Sequence, residues 1–418
     1  MTSHHRRGPL SAVLASAFAL CAGAAPAEPA PPYSDLLRQA QTSAPRLAEA
    51  RADIARASGL ARQAGARPNP TVSVEVENFS GSGPFSGSNL AETTGSVEQT
   101  LELGGKRQAR LAAGRAEVEA AKLRATEVAA QFAYELATAY AGAEAADRRV
   151  QLASEALALA KDDARVASAL VEAGREADLR RVQAQAGVQA AQANLAESRA
   201  VRATAFGTLT ALAGVTTPIT SIPHSLLATA DREALVSSPD PLASPSYKAA
   251  QADREAAVRR IRVEQSRATP DLSVSVGLRR FQEDDSTAMV AGLSAPFPLF
   301  DRNRGNISAA RAELSAAEAR LEAARLDAQA EAGAGVARLG AVDSRLAAAR
   351  EAERAADEAY RLTRIGYEGG KLALIELTNA RRALADARGQ TLDAALERLS
   401  AQAALARLQG RALFGDQP

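Results

Sequence analysis

The sequence predicts a mainly α-helical, extended chain that contributes four β-strands to a membrane β-barrel. Three observations carry this: an internal duplication, a pair of amphipathic strands in each copy, and long alanine-rich stretches without proline. Pro45, Pro70 and Thr71-Val72-Ser73-Val74 recur at Pro245, Pro270 and Asp271-Leu272-Ser273-Val274. Arg115-Ala116-Glu117 recurs at Arg311-Ala312-Glu313, and Glu172-Ala173-Gly174-Arg175 at Glu368-Gly369-Gly370-Lys371. The offset falls from 200 to 196 because the second hairpin is four residues shorter. Register kept over most of the chain marks a duplicated unit.

Residues 1–27 read as an export signal: His4-His5-Arg6-Arg7 is basic, Leu10 to Cys21 is apolar, and Ala25-Pro26-Ala27 is an A-x-A cleavage site. Its apolar run is too short to span a bilayer, and no other run approaches ~20 apolar residues. Cys21, the only cysteine, lies in this segment; Leu20 before it is bulkier than lipid attachment normally wants. Without Cys21 the exported chain has no disulfide, so packing and assembly must stabilise it. The first repeat covers 28–215 with its hairpin at 71–103. A connector follows at 216–245, then the second repeat at 246–413 with its hairpin at 271–299, and a tail at 414–418.

Ser34-Asp35 is placed to cap a first helix reaching about Gly65, where Arg67-Pro68-Asn69-Pro70 stops it. Thr71 to Glu77 then alternates, with Val72, Val74 and Val76 on one face and Thr71, Ser73, Glu75 and Glu77 on the other. After a Gly- and Ser-rich loop from Phe79 to Asn89, Gly95 to Leu103 alternates again. In the second copy Leu272, Val274, Val276 and Leu278 share a face; after the turn Glu283-Asp284-Asp285, so do Met289, Ala291, Leu293, Ala295 and Phe297. From Lys106 to Val171 two heptad threads run without a proline, Leu111-Val118-Ala125-Phe132-Ala139 and Leu136-Ala143-Val150-Leu157-Ala164-Val171. At ~1.5 Å per residue this helix approaches ~100 Å. Ile307, Leu314 and Leu321 begin the matching seam. Shorter helices are expected from about Glu176 to Leu212 and from about Leu372 to Leu413. Thr216 to Pro245 carries several prolines and reads as a connector with little regular structure.

Charge is balanced, with 50 basic and 49 acidic residues interspersed, which argues against nucleic-acid binding. Of the residues, 46% are hydrophobic but only 4% aromatic, so the apolar content is largely alanine, suited to close helix packing. Four strands cannot close a membrane barrel, whose smallest forms use about eight. Open edges in hydrocarbon leave backbone groups unpaired, each costing several kcal/mol. Copies must therefore share one barrel. Two copies would give eight strands with a filled interior, and three give twelve with room for a lumen. A conduit favours a homotrimer.

Two junction segments carry a family resemblance: Gln99-Thr100-Leu101-Glu102-Leu103-Gly104-Gly105-Lys106-Arg107, and Ala295-Pro296-Phe297-Pro298-Leu299-Phe300-Asp301-Arg302-Asn303-Arg304-Gly305-Asn306-Ile307. With Tyr367-Glu368-Gly369-Gly370-Lys371, they resemble the TolC-like outer-membrane efflux channels, in particular the heavy-metal-cation (CzcC-type) branch. The resemblance covers essentially the whole chain after the signal. It implies a trimer with a twelve-stranded β-barrel in outer-membrane lipid and a long α-helical barrel crossing the periplasm. It also implies a periplasmic adaptor (membrane-fusion) protein and an inner-membrane pump of the resistance-nodulation-division type as partners. Gly104 and Gly105 suit a sharp strand-to-helix turn. Pro296 and Pro298, followed by Asp301, interrupt the ladder at the equivalent place.

The same resemblance puts the adaptor contact and gate at the far helical turns. The matching positions are Gly174, Arg175, Asp178 and Arg180 in the first copy, with Tyr367, Gly370, Lys371, Glu376 and Asn379 in the second. The family often lines its constriction with acidic residues at the last two positions, and here one of them is Asn. A threefold ring of Glu376 would attract cations and pair with Arg180 or neighbouring basic residues.

No catalytic constellation is present, and no cofactor is expected. His224 lies between Pro223 and Ser225 in the connector, the serines of the hairpin loop have no paired histidine, and Gly81-Ser82-Gly83 opens no helix. Soft metal ions want Cys, His or Met; beyond the signal there are only His224 and Met289, so metal selection would fall to partner proteins. Glu283-Asp284-Asp285 is more simply a hydrated turn than a cation site. The expected function is the passive exit duct of a tripartite efflux system exporting heavy-metal cations. Alternatives are a drug or polypeptide export channel of the same family, or a periplasmic coiled-coil structural protein without a pore.

Overall fold

A computed structural model describes residues 28–232, 239–369 and 371–413. The signal segment with Cys21, Gly370 and the tail at 414–418 lie outside the described residues. The chain opens with a two-residue strand β1 (Glu28–Pro29), then α1 (Tyr33–Ser43) and α2 (Pro45–Ala64). One continuous helix was expected here. Pro45 divides it: it has no N–H to continue α1, and Ala44 before it is extended. The N-cap of α1 is Pro32 with no side-chain cap bond, so Ser34 and Asp35 do not cap it. Pro45 starts α2 at a position where a missing N–H costs nothing. Pro245 does the same for α6 (Pro245–Arg267), as the duplication requires.

Strands β2 (Thr71–Glu77) and β3 (Glu92–Leu101) lead into α3 (Lys106–Glu172), a single helix of 67 residues and about 100 Å. It is followed by α4 (Asp178–Ala213). The connector is more ordered than its prolines suggest. It carries a strand β4 (Ile219–Ser221), a helix α5 (Leu226–Arg232) and a short 3-10 turn at Pro241–Ala243. The second copy continues with α6, strands β5 (Leu272–Phe281) and β6 (Ser286–Ser294), and helices α7 (Arg304–Glu368) and α8 (Leu374–Leu408).

The long helices pack side by side: α3 against α2, α4, α6 and α8, and α7 against α6 and α8. Alanine faces let these backbones approach closely, and Ala120, Ala137, Ala141 and Ala143 on α3 are fully buried. Among the described residues, a buried cluster rich in large side chains lies midway along α3. Here Phe132, Leu136 and Tyr140 meet Tyr33, Leu36, Phe206, Leu209 and Leu399. Tyr140 is buried without loss because its hydroxyl donates within reach of two carbonyls, Pro31 O at 3.2 Å and His224 O at 3.0 Å. Tyr33 donates to Ala133 O at 3.0 Å and meets Tyr140 edge-on. These bonds fix the parallel pair of β1 and β4 against the bundle.

Candidate transport path

The four long strands form one antiparallel sheet in the order β2-β3-β5-β6. Its register sorts the residues into two faces. Val72 faces Val97, which faces Val276, which faces Ala291; Leu278 faces Met289, and Val274 faces Leu293. On the opposite face Ser73 meets Ser96, Glu75 meets Thr94, which in turn faces Arg279, and Glu77 meets Glu92. The sheet's substantial contacts with other elements are only among its own strands. Nothing among the described residues covers the apolar face: Val72 is 73% exposed, Val74 71%, Met289 78% and Leu293 71%. The outer edges of β2 and β6 also lack partners among the described residues of this protomer.

The polar face is internally bonded. Arg279 donates to Glu92 Oε2 at 2.8 Å and to Thr94 Oγ1 at 2.9 Å, and lies 3.1 Å from Glu77 Oε2, pinning β5 to β3 and β2. The Ser73 and Ser96 hydroxyls are 2.8 Å apart, and those of Thr100 and Ser273 are 3.3 Å apart.

Where strand becomes helix, Gly104 and Gly105 both adopt left-handed backbone, φ +67° and +71°. A side chain on Gly104 would stand 2.7 Å from Thr269 Oγ1, so glycine is required there twice over. Asp271 of the second copy stitches this turn, accepting from Leu103 N at 3.2 Å and lying 2.7 Å from Lys106 Nζ. At the second junction β6 ends at Ser294, ahead of Pro296 and Pro298. Asp301 accepts from Asn303 N at 2.8 Å, and Asn303 itself takes the left-handed position at φ +57°. Asn303 Nδ2 donates to Glu264 O at 2.8 Å, holding α7 to α6. Asparagine thus replaces glycine at this junction, with a bond the glycine could not make.

At the far end, α3 and α4 are joined by a turn with Gly174 at φ +68°, closed by Arg175 N donating to Leu170 O at 2.9 Å. Lys371 N closes the matching turn on Gly366 O at 2.8 Å. Gly174, Arg175 and Asp178 are exposed, Arg180 and Tyr367 half-buried, and Lys371, Glu376 and Asn379 exposed. Asp178 lies 2.6 Å from Arg181. Among the described residues of one protomer no ion pair joins Glu376 to Arg180. The firm link is one that sequence reasoning missed: Arg381 of α8 donates to Asp163 of α3 at 2.8 Å, with both side chains under 20% exposed. The Arg381 guanidinium also lies 5.9 Å from the Tyr360 ring of α7. Arg180, Asp163, Leu374, Ile375 and Arg381 line a groove of about 510 Å³ between α3, α4 and α8.

Residues 36–215 and 242–411 match the model of the "Outer membrane efflux protein" family. The chain belongs to this family. It is a family of channels, not of enzymes. Among its relatives, the nickel-cobalt-cadmium resistance protein NccC of Alcaligenes xylosoxydans xylosoxydans is 42% identical over 293 residues, covering 70% of this chain and 66% of that one. The nickel and cobalt resistance protein CnrC of Cupriavidus metallidurans is 43% identical, covering 67% of each chain. The chain thus spans about two thirds of these relatives' length. Solved structures share the fold: CusC has a TM-score of 0.77 at 18% identity, covering 91% of this chain and 92% of that one. VceC of Vibrio cholerae gives 0.73 at 21% identity, covering 91% and 96%.

No helix among the described residues is long and apolar enough to cross a membrane. In this outer membrane efflux protein the valine face of the sheet is an exposed apolar surface. Among the described residues no group of three His, Cys, Asp or Glu side chains is placed to hold a metal ion.

Proposed function

We propose that three copies join their sheets into one twelve-stranded barrel in the outer membrane and their helices into a barrel crossing the periplasm. The assembly is the passive exit duct of a tripartite system, fed by an adaptor and an inner-membrane pump, and its cargo is divalent heavy-metal cations. One observation carries the membrane reading: a sheet with one apolar and one polar face, whose apolar face is uncovered and whose two edges are open among the described residues. In water each exposed valine forgoes about 1.5–3 kcal/mol of burial, and the edges invite aggregation. In lipid, closure by neighbouring copies satisfies both. The cargo assignment is supported by the names of NccC and CnrC. Family membership favours this duct over a pore-free structural protein.

The periplasmic tip serves as the gate in this reading. Glu376 and Asn379 sit one turn apart on α8, and Arg381 on the next residues anchors that helix to α3 through Asp163. Glu376 is free to face its two symmetry mates, because it makes no ion pair with Arg180 within the protomer. The adaptor docks over the two turns around Gly174 and Lys371.

Deleting the gene and restoring it on a plasmid tests this reading, with nickel, cobalt, cadmium and zinc tolerance measured beside the oligomeric state in extracted outer membranes. Heat-dissociable trimers and restored tolerance are expected. A water-soluble monomer would overturn the duct, and unchanged tolerance to all four metals with intact trimers would overturn the cargo.

A further inference from the structure

We propose that the sheet closes on a second copy of this chain in one defined register, with Val76 of β2 opposite Leu293 in β6 of the neighbouring copy. This rests on the shared-barrel reading and specifies what that reading leaves open. Strands β2 and β6 are the outer strands, and three antiparallel steps separate them. They therefore run in opposite directions, so β6 of one copy can pair antiparallel with β2 of the next.

The two faces halve the choice of register. Val72, Val74 and Val76 carry the apolar face of β2, and Met289, Ala291 and Leu293 carry that of β6. A slip of one residue would turn one set of apolar side chains into the polar interior. Only pairings of even β2 positions with odd β6 positions survive.

The duplication fixes the remaining slip. Facing residues through Thr71 run to Glu98 and then Ser275, whereas the duplicate of Thr71 is Asp271, four residues nearer the helices. Facing residues through Leu101 run to Leu272 and, one step past Ser273–Ser294, to Ala295; the duplicate of Leu101 is Phe297, two residues nearer. Each hairpin thus slips against the next by about three residues on average, and each copy, holding two hairpins, by about six. Six residues at about 3.3 Å, spread over four strands about 4.8 Å apart, tilt the strands by about 45°. That is the tilt at which strands of 9–11 residues cross a bilayer. The neighbouring allowed slips, four and eight residues, give about 35° and about 54°.

The slip of six pairs Glu77 with Gly292, Val76 with Leu293, Glu75 with Ser294 and Val74 with Ala295. Polar meets small or polar, and apolar meets apolar, at every step. Glu77, which Arg279 holds at 3.1 Å, faces a residue without a side chain. A Cβ at Gly292 would stand 2.5 Å from Ser275 Oγ, so any side chain there would first have to displace that hydroxyl.

Cysteine pairs test the register in a Cys21→Ser background, which removes the only native cysteine. Facing Cα atoms lie about 4.5–5.5 Å apart, within reach of a short bis-maleimide cross-linker that adds one cysteine thiol to each end. In full-length protein in outer membranes, Val76→Cys with Leu293→Cys should give covalent dimers and trimers on denaturing gels, and neither single variant should. Preferential cross-linking of Val74→Cys with Leu293→Cys, or of Asn78→Cys with Leu293→Cys, would overturn the register while leaving the trimer intact. Unheated gels of the same samples report the non-covalent trimer separately. Its loss in the native chain would remove the shared barrel itself, and the register with it.

Discussion

Arg381 and Asp163 stand 218 positions apart in the chain and 2.8 Å apart in space, tying α8 of the second repeat to α3 of the first towards the end of the bundle far from the sheet. Thr378 Oγ1 sits 3.4 Å from the same carboxylate. The pair is shielded enough to matter, since removing one partner of a buried pair costs about 3 kcal/mol, against under 1 kcal/mol for a surface pair. Arg381→Ala and Asp163→Asn are therefore expected to loosen the tip and raise single-channel conductance in planar bilayers. Arg381→Lys should recover only part of the closure, because it lacks the planar group that faces Tyr360. Wild-type conductance in both disrupting variants would deny this pair a role in closure.

Gly104 and Gly105 share a left-handed backbone but not a neighbourhood. Gly105→Ala meets no atom within 4 Å and should cost about 1 kcal/mol from backbone strain alone. Gly104→Ala adds a collision with the Thr269 side chain and should cost clearly more. The yield of trimer on unheated gels of extracted membranes ranks the two. Equal yields would mean that Thr269 moves aside freely.

Much of this architecture was legible in the residues. The valines at 72, 74 and 76 gave β2 its bounds, and Pro45 with Pro245 marked corresponding helix starts. The threads through Leu136 and Ala143 gave a helix running unbroken to Glu172. What escaped lacked periodicity. The strands β1 and β4 have two and three residues, too few to alternate, and are held beside α3 by Tyr140, whose hydroxyl reaches Pro31 O and His224 O in the chain that follows each. The break at Ala44 was hidden because Pro45 also suits the start of a helix. At the tip, Glu376 and Asn379 were placed by resemblance, whereas Arg381 and Asp163 have no spacing that would pair them.

The sheet faces give opposite responses to charge. Val74→Arg places a guanidinium on the apolar face and should cost about 2–4 kcal/mol per copy near mid-membrane. Ser96→Arg on the polar face should assemble normally. The comparison is made by the fraction of trimer in outer membranes. Equal tolerance would mean that lipid does not cover the valine face.

Glu127, half-buried on α3, supplies a pH dependence outside the membrane region. Burial raises its pKa, the like charge of Asp253 adds to this, and Arg407 partly offsets both. Asp253 is itself raised, chiefly by burial. A carboxyl whose folded pKa exceeds its unfolded value contributes stability below the unfolded value, and that contribution disappears as pH rises through the folded one. The native assembly should therefore lose some thermal stability from about pH 5 to neutrality. Glu127→Gln should flatten that slope and stabilise the protein at pH 7.5, by under about 1 kcal/mol given its partial exposure. Melting curves at both pH values measure this, and an unchanged slope in Glu127→Gln would assign the dependence elsewhere.

Glu376 is the last group whose role follows from its position. It lies in the first turn of α8, where a carboxylate is favoured by the helix dipole, and it is exposed rather than spent on Arg180. Repeated three times around a narrow tip, its charge would raise the local concentration of cations at the entrance. Glu376→Gln should lower the cation-over-anion permeability ratio roughly twofold, read as a shifted reversal potential in a salt gradient. The effect should shrink in high salt, where the Debye length falls to about 3 Å at 1 M. Arg180→Ala separates attraction from latching: a pure attractor predicts no change in conductance, whereas pairing between copies predicts an increase. If neither variant alters conductance or ion preference, Glu376 is a solvated helix residue and the selectivity of the duct resides elsewhere.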